Sequence, residues 1–569
     1  MPIFNLNKRK LASDNFFQKL LIYVFFIFLI ITIILPLFSL FNKAFNDRSG
    51  IFIGFENFFK YFSNPALSQS VKNTFFISAT TTIIAVFLAL LYVYSISRIQ
   101  IRWKTFFKYI VLLPLFAPTM LQGISLVYLF GNKGIFTNIG LNINLYGAVG
   151  IIISEILYTF PQAYLILLVG FEMTDYRLYE AAETLNASRI KQFFKVTLPS
   201  VKYSFISALF VCFSLSFTDF GAPKVVGGDY NVLATDIYKQ IVGQQNFSMG
   251  AVVGIILLFP AILSFAVDRI TTRKQNAIFS SRSVPFRFKR EKGDYIFFIY
   301  CLIISGLIAL LFLVAVFASL VKVWPYDLTL TLAHYNFKTV SSSGIKPYIN
   351  SIIISLISAT LGTILIFLSA YLIEKSRSLK IIRLLSYFFS IIPLALPGLV
   401  IGISYIFFFN RLSFNFFGLA IPNIFNFIYG TIIILILSNI IHFYSVPFIT
   451  ANTTLKKIDK EFENVSNSMA VPGSITFLKV TVPLSITAVM ENFMYIFVNS
   501  MTTVSAVIFL YSSNLKLASI AVVHMEEGGS IAAAASMAVL IVLTNIIARI
   551  IYEVILKKVR RKTDVWKKR

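Results

Sequence analysis

Long apolar stretches separated by short polar segments run along the whole chain. A helix needs about 20 apolar residues to cross a bilayer, and twelve stretches reach or nearly reach that length. The pattern therefore predicts an all-α integral membrane protein with about twelve transmembrane helices. The predicted spans are 20–42, 73–97, 109–130, 146–170, 203–218, 249–267, 295–320, 350–373, 384–409, 427–449, 484–510 and 531–555.

The predicted spans form two halves that repeat one another. Because six spans is an even number, each half begins and ends on the same side of the membrane. The two repeats therefore run parallel, related by an axis along the membrane normal. Matching residues include Asn73 and Asn350, Pro114 and Pro393, Pro118 and Pro397, Gly123 and Gly402, Asp175 and Asp459, and Ser216 and Ser500.

Composition and charge restrict the class and suggest the orientation. The chain is 57% hydrophobic and only 13% charged, which excludes an ordinary soluble enzyme, a disordered chain and a soluble nucleic-acid binder. It nevertheless has 50 Lys and Arg against 24 Asp and Glu. In membrane proteins such an excess marks the cytoplasmic loops, so both termini are predicted inside. The predicted segments are a cytoplasmic N-terminus at 1–19, a first repeat at 20–267, a basic cytoplasmic linker at 268–294, a second repeat at 295–555 and a basic cytoplasmic tail at 556–569.

The loop after the fourth predicted span, residues 175–199, contains the most specific motif. Glu180, Ala181 and Ala182 are followed at fixed spacing by Asn186 and by Pro199. This pattern resembles the EAA loop of binding-protein-dependent ABC importer permeases, with Asn186 in place of the family's glycine. Asn is the residue besides glycine that most readily accepts the left-handed conformation, so the turn is predicted to survive. The two small alanines suit a helix that seats closely against a partner.

The equivalent loop of the second half, residues 459–483, keeps the spacing and lacks the motif. Glu463, Asn464, Val465 and Ser466 lie along its first part, and Pro483 ends it. Asn464 stands at the position of the first loop's glutamate. The sequence leaves open whether both loops engage a partner alike.

Nearly the whole chain resembles a fused, two-repeat permease subunit of a binding-protein-dependent ABC importer, with a MetI-like type I transmembrane domain. The resemblance implies a channel-forming subunit in a bacterial cytoplasmic membrane. It also implies an extracytoplasmic substrate-binding protein and two copies of an ABC ATPase. The ATPases would dock on the loops 175–199 and 459–483, the first and second coupling loops. The sequence has no Gly-x-x-x-x-Gly-Lys-Ser/Thr phosphate loop, so ATP and magnesium are expected on the partner subunits. No enzyme activity and no cofactor are expected on this chain.

The substrate is indicated by two stretches, 217–240 and 500–506. They are similar to permeases of the 2-aminoethylphosphonate importers and, in second place, to those of the ferric-iron importers. The resemblance thus implies 2-aminoethylphosphonate or a related small anion or zwitterion, with ferric iron as the alternative.

Polar residues in or at the ends of spans are candidates for the substrate path, because ionisable groups inside a membrane are costly. Asp219, at the end of the fifth span, is the strongest candidate, and its alternative role is a helix-end carboxylate exposed to water. With three histidines and no metal-ligand spacing, no bound metal is expected. The candidate residues are Glu155, Asp219, His442, Glu491, Thr502 and Thr503.

Two other classes of protein share some of these features. A secondary transporter also suits twelve spans in two repeats, and it predicts ion sites near mid-membrane and no ATPase partner. The duplicated loop after the fourth span of each half argues against it. A membrane-embedded enzyme lacks support, because the spans contain no paired carboxylates, histidine cluster or nucleophile motif.

Overall fold

The computed structural model describes residues 2–47, 50–140, 143–278, 294–376, 378–416, 419–459, 461–469 and 471–564. Within these ranges the predicted helical membrane protein is confirmed: eight helices are long and apolar enough to cross a membrane, and the number of spans reaches twelve if each of four bent helix pairs counts as one span. The eight are Phe16–Phe45, Pro65–Arg98, Ala148–Glu172, Arg189–Thr218, Phe247–Thr271, Asp294–Leu320, Lys346–Lys375 and Ile531–Val559. The pairs are Lys104–Phe116 with Thr119–Asn138, Lys380–Ala395 with Gly398–Phe409, Ile432–His442 with Ser445–Lys457, and Gly473–Leu484 with Ile486–Thr502.

Two of the four bends lie at equivalent prolines in the two repeats. Pro114 and Pro393 each lie in a short 3-10 turn, and Pro118 and Pro397 each precede the second helix of the pair. The helix axes bend by 102° in the first repeat and 115° in the second. Proline lacks an N–H and clashes with the preceding turn, which ends the first helix of each pair.

The chain divides into two compact units, and the first-repeat unit consists of residues 44–345 and 519–541. The helix Asp294–Leu320, which begins the second half of the sequence, packs in this unit. The Tyr92 hydroxyl lies 2.7 Å from that of Ser305, and the Ser125 hydroxyl donates to the Leu311 carbonyl at 2.9 Å. Its elements are the helices Glu56–Ser63, Pro65–Arg98, Lys104–Ile110, Leu113–Phe116, Thr119–Phe130, Ile135–Asn138, Ala148–Glu172, Arg177–Thr184, Arg189–Gln192, Phe193–Thr197, Leu198–Thr218, Gly221–Val226, Leu233–Tyr238, Lys239–Gly243, Phe247–Ile278, Asp294–Leu320, Ala333–Tyr335 and Phe337–Thr339, most of Ala518–Glu527, and the strands Val321–Val323 and Asp327–Leu330.

The second-repeat unit consists of residues 1–43, 346–518 and 542–569. Here the first span of the chain packs against helices of the second half. The Tyr405 hydroxyl donates to the Thr32 carbonyl at 3.0 Å, and the rings of Phe26 and Phe389 stack with centroids 5.6 Å apart. Its elements are the helices Pro2–Leu29, Ile30–Ile34, most of Leu35–Phe45, Lys346–Lys375, Lys380–Ile391, Ile392–Ala395, Gly398–Phe409, Ile424–Ile428, Ile432–His442, Ser445–Lys457, Glu461–Ser468, Gly473–Thr476, Phe477–Thr481, Val482–Leu484, Ile486–Thr502 and the later part of Ile531–Asp564, and the strands Ser413–Phe416 and Leu419–Pro422.

The structure differs in three respects from the pattern of spans predicted from the sequence. Each unit contains the first span of the other half of the sequence, an exchange that hydrophobic periodicity does not reveal. The two antiparallel hairpins, one in each unit, are short exceptions to the all-helical expectation. The helix Phe247–Ile278 continues into the predicted linker, whose residues 279–293 lie outside the described ranges, as do residues 565–569 of the predicted tail.

Candidate functional site

The first coupling loop places a short exposed helix, Arg177–Thr184, at the end of the span Ala148–Glu172. Its start is fixed by the Asp175 carboxylate, which accepts the Arg177 N–H at 3.1 Å. Ala182 is buried against its own unit, whereas Glu180 and Ala181 are exposed. Of the two small residues of the motif, Ala181 is therefore the one available to a partner.

The turn after this helix has the predicted conformation. Asn186 has φ = 51°, in the left-handed region, so it replaces the family's glycine without loss of the turn. The Ala187 N–H donates to the Ala182 carbonyl at 3.0 Å, which closes the helix end. The chain then passes through Phe193–Thr197 into the span helix Leu198–Thr218, where Pro199 lies in the first turn and needs no N–H partner.

The second coupling loop repeats this arrangement with different residues. Its helix, Glu461–Ser468, exposes Asn464 and Val465 and buries Ser466, whose hydroxyl is hydrogen-bonded to that of Thr476. These three positions correspond to Glu180, Ala181 and Ala182 of the first loop, so the same face points outward in both. Pro483 lies in the short helix Val482–Leu484.

Both loops carry large exposed apolar side chains. In the first loop Leu185 is 80% exposed and Ile190 is 74% exposed; in the second, Met469 is 64% exposed. A cleft of about 760 Å³ runs beside the second helix, lined by Phe462, Val465 and Ile475 among others. Apolar patches of this kind mark surfaces that bind other proteins.

The first-repeat unit brings two of the predicted path residues together. Glu155, in the span Ala148–Glu172, is fully buried. Its carboxyl group faces the carboxyl group of Asp219 and the hydroxyl of Ser216. Asp219 follows the span helix Leu198–Thr218, accepts the Ala222 N–H at 2.9 Å and faces the Thr119 hydroxyl. Carboxylates that face one another repel, so a cation between them is favoured by both charges. The arrangement therefore suits a positively charged ligand.

The second-repeat unit has neutral polar groups at the equivalent positions. Asn439 corresponds to Glu155, Ser500 to Ser216 and Thr503 to Asp219, and all three are buried. The Thr502 hydroxyl bonds to the Val498 carbonyl of its own helix at 3.2 Å. The acidic pair is thus a property of one repeat.

Two further predicted path residues, His442 and Glu491, lie in the second-repeat unit. His442 ends the helix Ile432–His442 at the break of a bent span, with its ring centroid 4.4 Å from that of Phe443. Glu491 lies in the helix Ile486–Thr502 and is exposed.

Thr119 and Ser216 are polar neighbours of the pair that sequence reasoning did not select. Gly221 makes room for Thr119, because a Cβ at Gly221 would collide with the Thr119 hydroxyl. In the second-repeat unit the roles are exchanged, since Gly398 makes room for the hydroxyl of Ser505. The repeat offsets pair Thr119 with Gly398 and Gly221 with Ser505, and this reciprocal exchange was a signal that the sequence contained.

A charged cluster ties the helix Ala518–Glu527 to the rest of the first-repeat unit. Lys224 Nζ lies 2.8 Å from Glu527 Oε1 and 5.2 Å from the Tyr238 ring centroid. Hydrogen bonds from His524 and Lys224 lower the pKa of Glu527 to about 2. Burial, together with the charge of Glu527, raises the pKa of the neighbouring Glu526 to about 7 despite the opposing effect of Lys224.

This raised pKa predicts that stability falls as the pH rises. The folded protein retains the Glu526 proton up to about pH 7, whereas the unfolded chain loses it near the ordinary value of 4.5. The contribution is therefore complete below the unfolded pKa and is lost as the pH rises through the folded one. We expect Glu526→Gln to reduce the fall in Tm between about pH 5 and pH 8 in detergent. Glu56→Gln, at an exposed carboxylate, is the control; an unchanged pH profile for Glu526→Gln would contradict the prediction.

Comparisons with known proteins agree with the repeat. The model of a family described as "Binding-protein-dependent transport system inner membrane component" matches residues 81–276 and again 362–561. The ferric transport system permease protein FbpB of Actinobacillus pleuropneumoniae is 26% identical over 525 residues, covering 87% of this chain and 72% of that protein. A putative ferric transport system permease protein FbpB 1 of Haemophilus influenzae is 26% identical over 511 residues, covering 85% and 76%. A crystal structure of a bacterial ABC transporter involved in alginate import is 19% identical, covers 49% of this chain and 100% of its own, and has a TM-score of 0.39.

Proposed function

Because the chain belongs to the family of binding-protein-dependent transport system inner membrane components, which matches both of its halves, we propose that it is the channel-forming permease subunit of an ATP-driven ABC importer. An extracytoplasmic binding protein delivers the substrate, and two copies of an ABC ATPase supply the energy. The chain itself provides the path and the two loops through which the ATPases act. The observation that carries this proposal is the pair of equivalent coupling loops in a family member with two repeats.

The coupling loops support docking of two ATPase subunits. Each loop contains a short helix, and the two helices expose the same face. Glu180 and Ala181 are exposed in the first loop, and Asn464 and Val465 are exposed at the equivalent positions of the second. Exposed apolar side chains flank both helices. Exposed apolar side chains beside a few polar groups are typical of a surface that is covered in a complex.

The orientation that we propose is the one that the charge distribution favours. Placing both termini and both coupling loops in the cytoplasm also puts most of the Lys and Arg there. ATP is available on that side. The opposite side of the membrane then receives the binding protein.

We propose ferric iron as the substrate. The two relatives named above, which align over most of the chain, are both described as ferric transport permeases. The buried Glu155 and the half-buried Asp219, with the hydroxyls of Thr119 and Ser216 beside them, support a cationic substrate. Carboxylate and hydroxyl oxygens are ligands that suit hard cations.

The second candidate is 2-aminoethylphosphonate. It is favoured by the similarity of 217–240 and 500–506 to permeases of that group, and the first stretch includes the cation Lys224. Lys224 is already paired with Glu527, and the buried path residues are acidic or neutral, so a phosphonate group finds less complementary charge than a metal cation.

Competition in reconstituted vesicles distinguishes the two substrates. Liposomes containing the chain, its ATPase subunits and its binding protein are given radioactive ferric citrate or radioactive 2-aminoethylphosphonate, each with an excess of the other unlabelled compound. We expect ATP-dependent uptake of iron that excess 2-aminoethylphosphonate does not reduce. Uptake of 2-aminoethylphosphonate without uptake of iron would reject the iron assignment while leaving the importer assignment intact.

A further inference from the structure

In the first-repeat unit a buried cation joins the second span, Pro65–Arg98, to the helix of the first coupling loop, Arg177–Thr184, which we call the first coupling helix; Glu461–Ser468 is the second. Arg98, the last residue of the helix Pro65–Arg98, is 7% exposed. Its Nε donates to the Tyr179 hydroxyl at 3.0 Å and its Nη2 donates to the Phe171 carbonyl at 2.8 Å. Its guanidinium carbon also lies 5.1 Å from the Tyr179 ring centroid, a cation–π distance. Tyr179 is the residue immediately before Glu180.

The second-repeat unit has a buried cation at the equivalent position. Lys375 ends the helix Lys346–Lys375 and corresponds to Arg98 by the same offset that relates Asn350 to Asn73. Its side chain is 6% exposed, and its Nζ lies 2.8 Å from Glu463 Oε1. It also donates to the Ile458 carbonyl at 3.0 Å.

The residue that each cation contacts is also equivalent in the two units. Glu463 occupies, in the helix Glu461–Ser468, the position that Tyr179 occupies in the helix Arg177–Thr184. Asp459 and Asp175, which precede these helices, are related by the same offset. One unit therefore joins an arginine to a tyrosine, and the other joins a lysine to a glutamate.

A second contact, one turn earlier on each span, strengthens the equivalence. The ring centroids of Tyr94 and Phe193 are 5.3 Å apart, and those of Tyr371 and Phe477 are 4.6 Å apart. Tyr94 and Arg98 are four residues apart, as are Tyr371 and Lys375, so each pair shares one face of its helix. Phe193 and Phe477 begin the equivalent segments Phe193–Thr197 and Phe477–Thr481 that follow the coupling helices.

From these contacts we propose that Arg98–Tyr179 and Lys375–Glu463 are equivalent clamps, which fix each coupling helix to the second span of its repeat so that movement of the helix by an ATPase moves the span. The inference rests on the proposed function. The four residues are positioning residues that act through the coupling helix. The second loop lacks the Glu-Ala-Ala motif but has the clamp, formed by a lysine and a glutamate instead of an arginine and a tyrosine. This indicates that the connection between helix and span matters separately from the motif.

Exchanging the two chemistries tests the clamp. The complete complex with ATPase subunits and binding protein is reconstituted with Lys375→Met, with Glu463→Tyr, or with the double variant Lys375→Arg/Glu463→Tyr, which places the first-repeat pair in the second repeat. Uptake of radioactive ferric citrate, ATP hydrolysis and the amount of co-purified ATPase are measured. Lys456→Met is the control, because Lys456 is exposed and lies 3.9 Å from Glu374 in a surface ion pair.

We expect each single variant to lower uptake on the order of tenfold, because contacting residues are energetically coupled. The ATPase should still co-purify and hydrolyse ATP, and the double variant should recover most of the uptake. Normal uptake by both single variants would overturn the inference, and so would a double variant as impaired as the single ones.

The Tyr179→Phe variant and the wild-type complex distinguish failure of the inference from failure of a variant to insert and from failure of the proposed function. Where a single variant does not insert, Tyr179→Phe removes one hydroxyl and keeps the ring, and unchanged uptake by this variant would overturn the inference. If the wild-type complex takes up neither ferric citrate nor 2-aminoethylphosphonate in an ATP-dependent manner, the proposed function fails and the inference fails with it. Uptake by the wild type with unaffected variants refutes the clamp alone.

Discussion

Replacing Glu155 by Gln is expected to lower ATP-dependent uptake of iron by roughly tenfold to a hundredfold, the equivalent of the 1.5–3 kcal/mol that hydrogen bonds to charged groups contribute. Glutamine has the same shape but no charge, so the fold of the span is retained. The buried carboxyl of Glu155 faces that of Asp219, and a cation between them loses half of its counter-charge. Asp219→Asn should have a similar effect on the initial rate.

The matched control for this prediction lies on the same helix. Glu172 ends the helix Ala148–Glu172 and is exposed, so Glu172→Gln replaces a carboxylate on the same helix without altering the pair of Glu155 and Asp219. Uptake is measured at equal amounts of inserted protein, determined in the same membranes. Wild-type uptake by both Glu155→Gln and Asp219→Asn would remove the acidic pair from the substrate path.

Loss of the first coupling helix's exposed carboxylate is expected to have the second large effect. Glu180→Ala should weaken binding of the ATPase on the order of tenfold, the loss expected when one of the few energetically important residues of an interface is truncated. Ala182 and Tyr179 of the same helix face their own unit and keep the helix in place. The measurement is the amount of ATPase retained by the purified chain at increasing salt concentration, together with uptake.

Two variants make this experiment specific. Glu56→Ala removes an exposed carboxylate from a segment predicted on the outer side of the membrane, and it should leave ATPase retention unchanged. Asn464→Ala, at the equivalent position of the second loop, removes no charge and should have a smaller effect than Glu180→Ala. Equal retention by Glu180→Ala and the wild type would show that this face does not bind the ATPase.

Much of the fold could be predicted from the sequence because its causes are local. The length of the apolar stretches predicted the spans, and two of the four bends lie at prolines that already stand out in the sequence as repeated positions, 114 and 118 with 393 and 397. The left-handed turn at Asn186 followed from the family motif and from the conformational range of asparagine. The exchange of first spans between the two units depends on packing between distant segments, which hydrophobic pattern does not encode.

Prediction of the candidate substrate path from the sequence is limited in the same way. Glu155 and Asp219 could be selected one at a time, because each is an ionisable group in or beside an apolar span. That they face one another could not be predicted, since it depends on the angle between two helices. Arg98 and Lys375 were not selected, because a cation at the end of a span is usually a solvated topology marker, whereas both are buried in the structure.

The most direct test of the central claim is uptake of radioactive ferric citrate into liposomes that contain the chain with and without its ATPase subunits, in the presence of the binding protein and an uncoupler. An ATP-driven permease predicts uptake that requires both ATP and the ATPase subunits and that persists when the uncoupler has collapsed the ion gradients. Uptake by the chain without ATPase subunits, abolished by the uncoupler, would contradict the account and identify a secondary transporter.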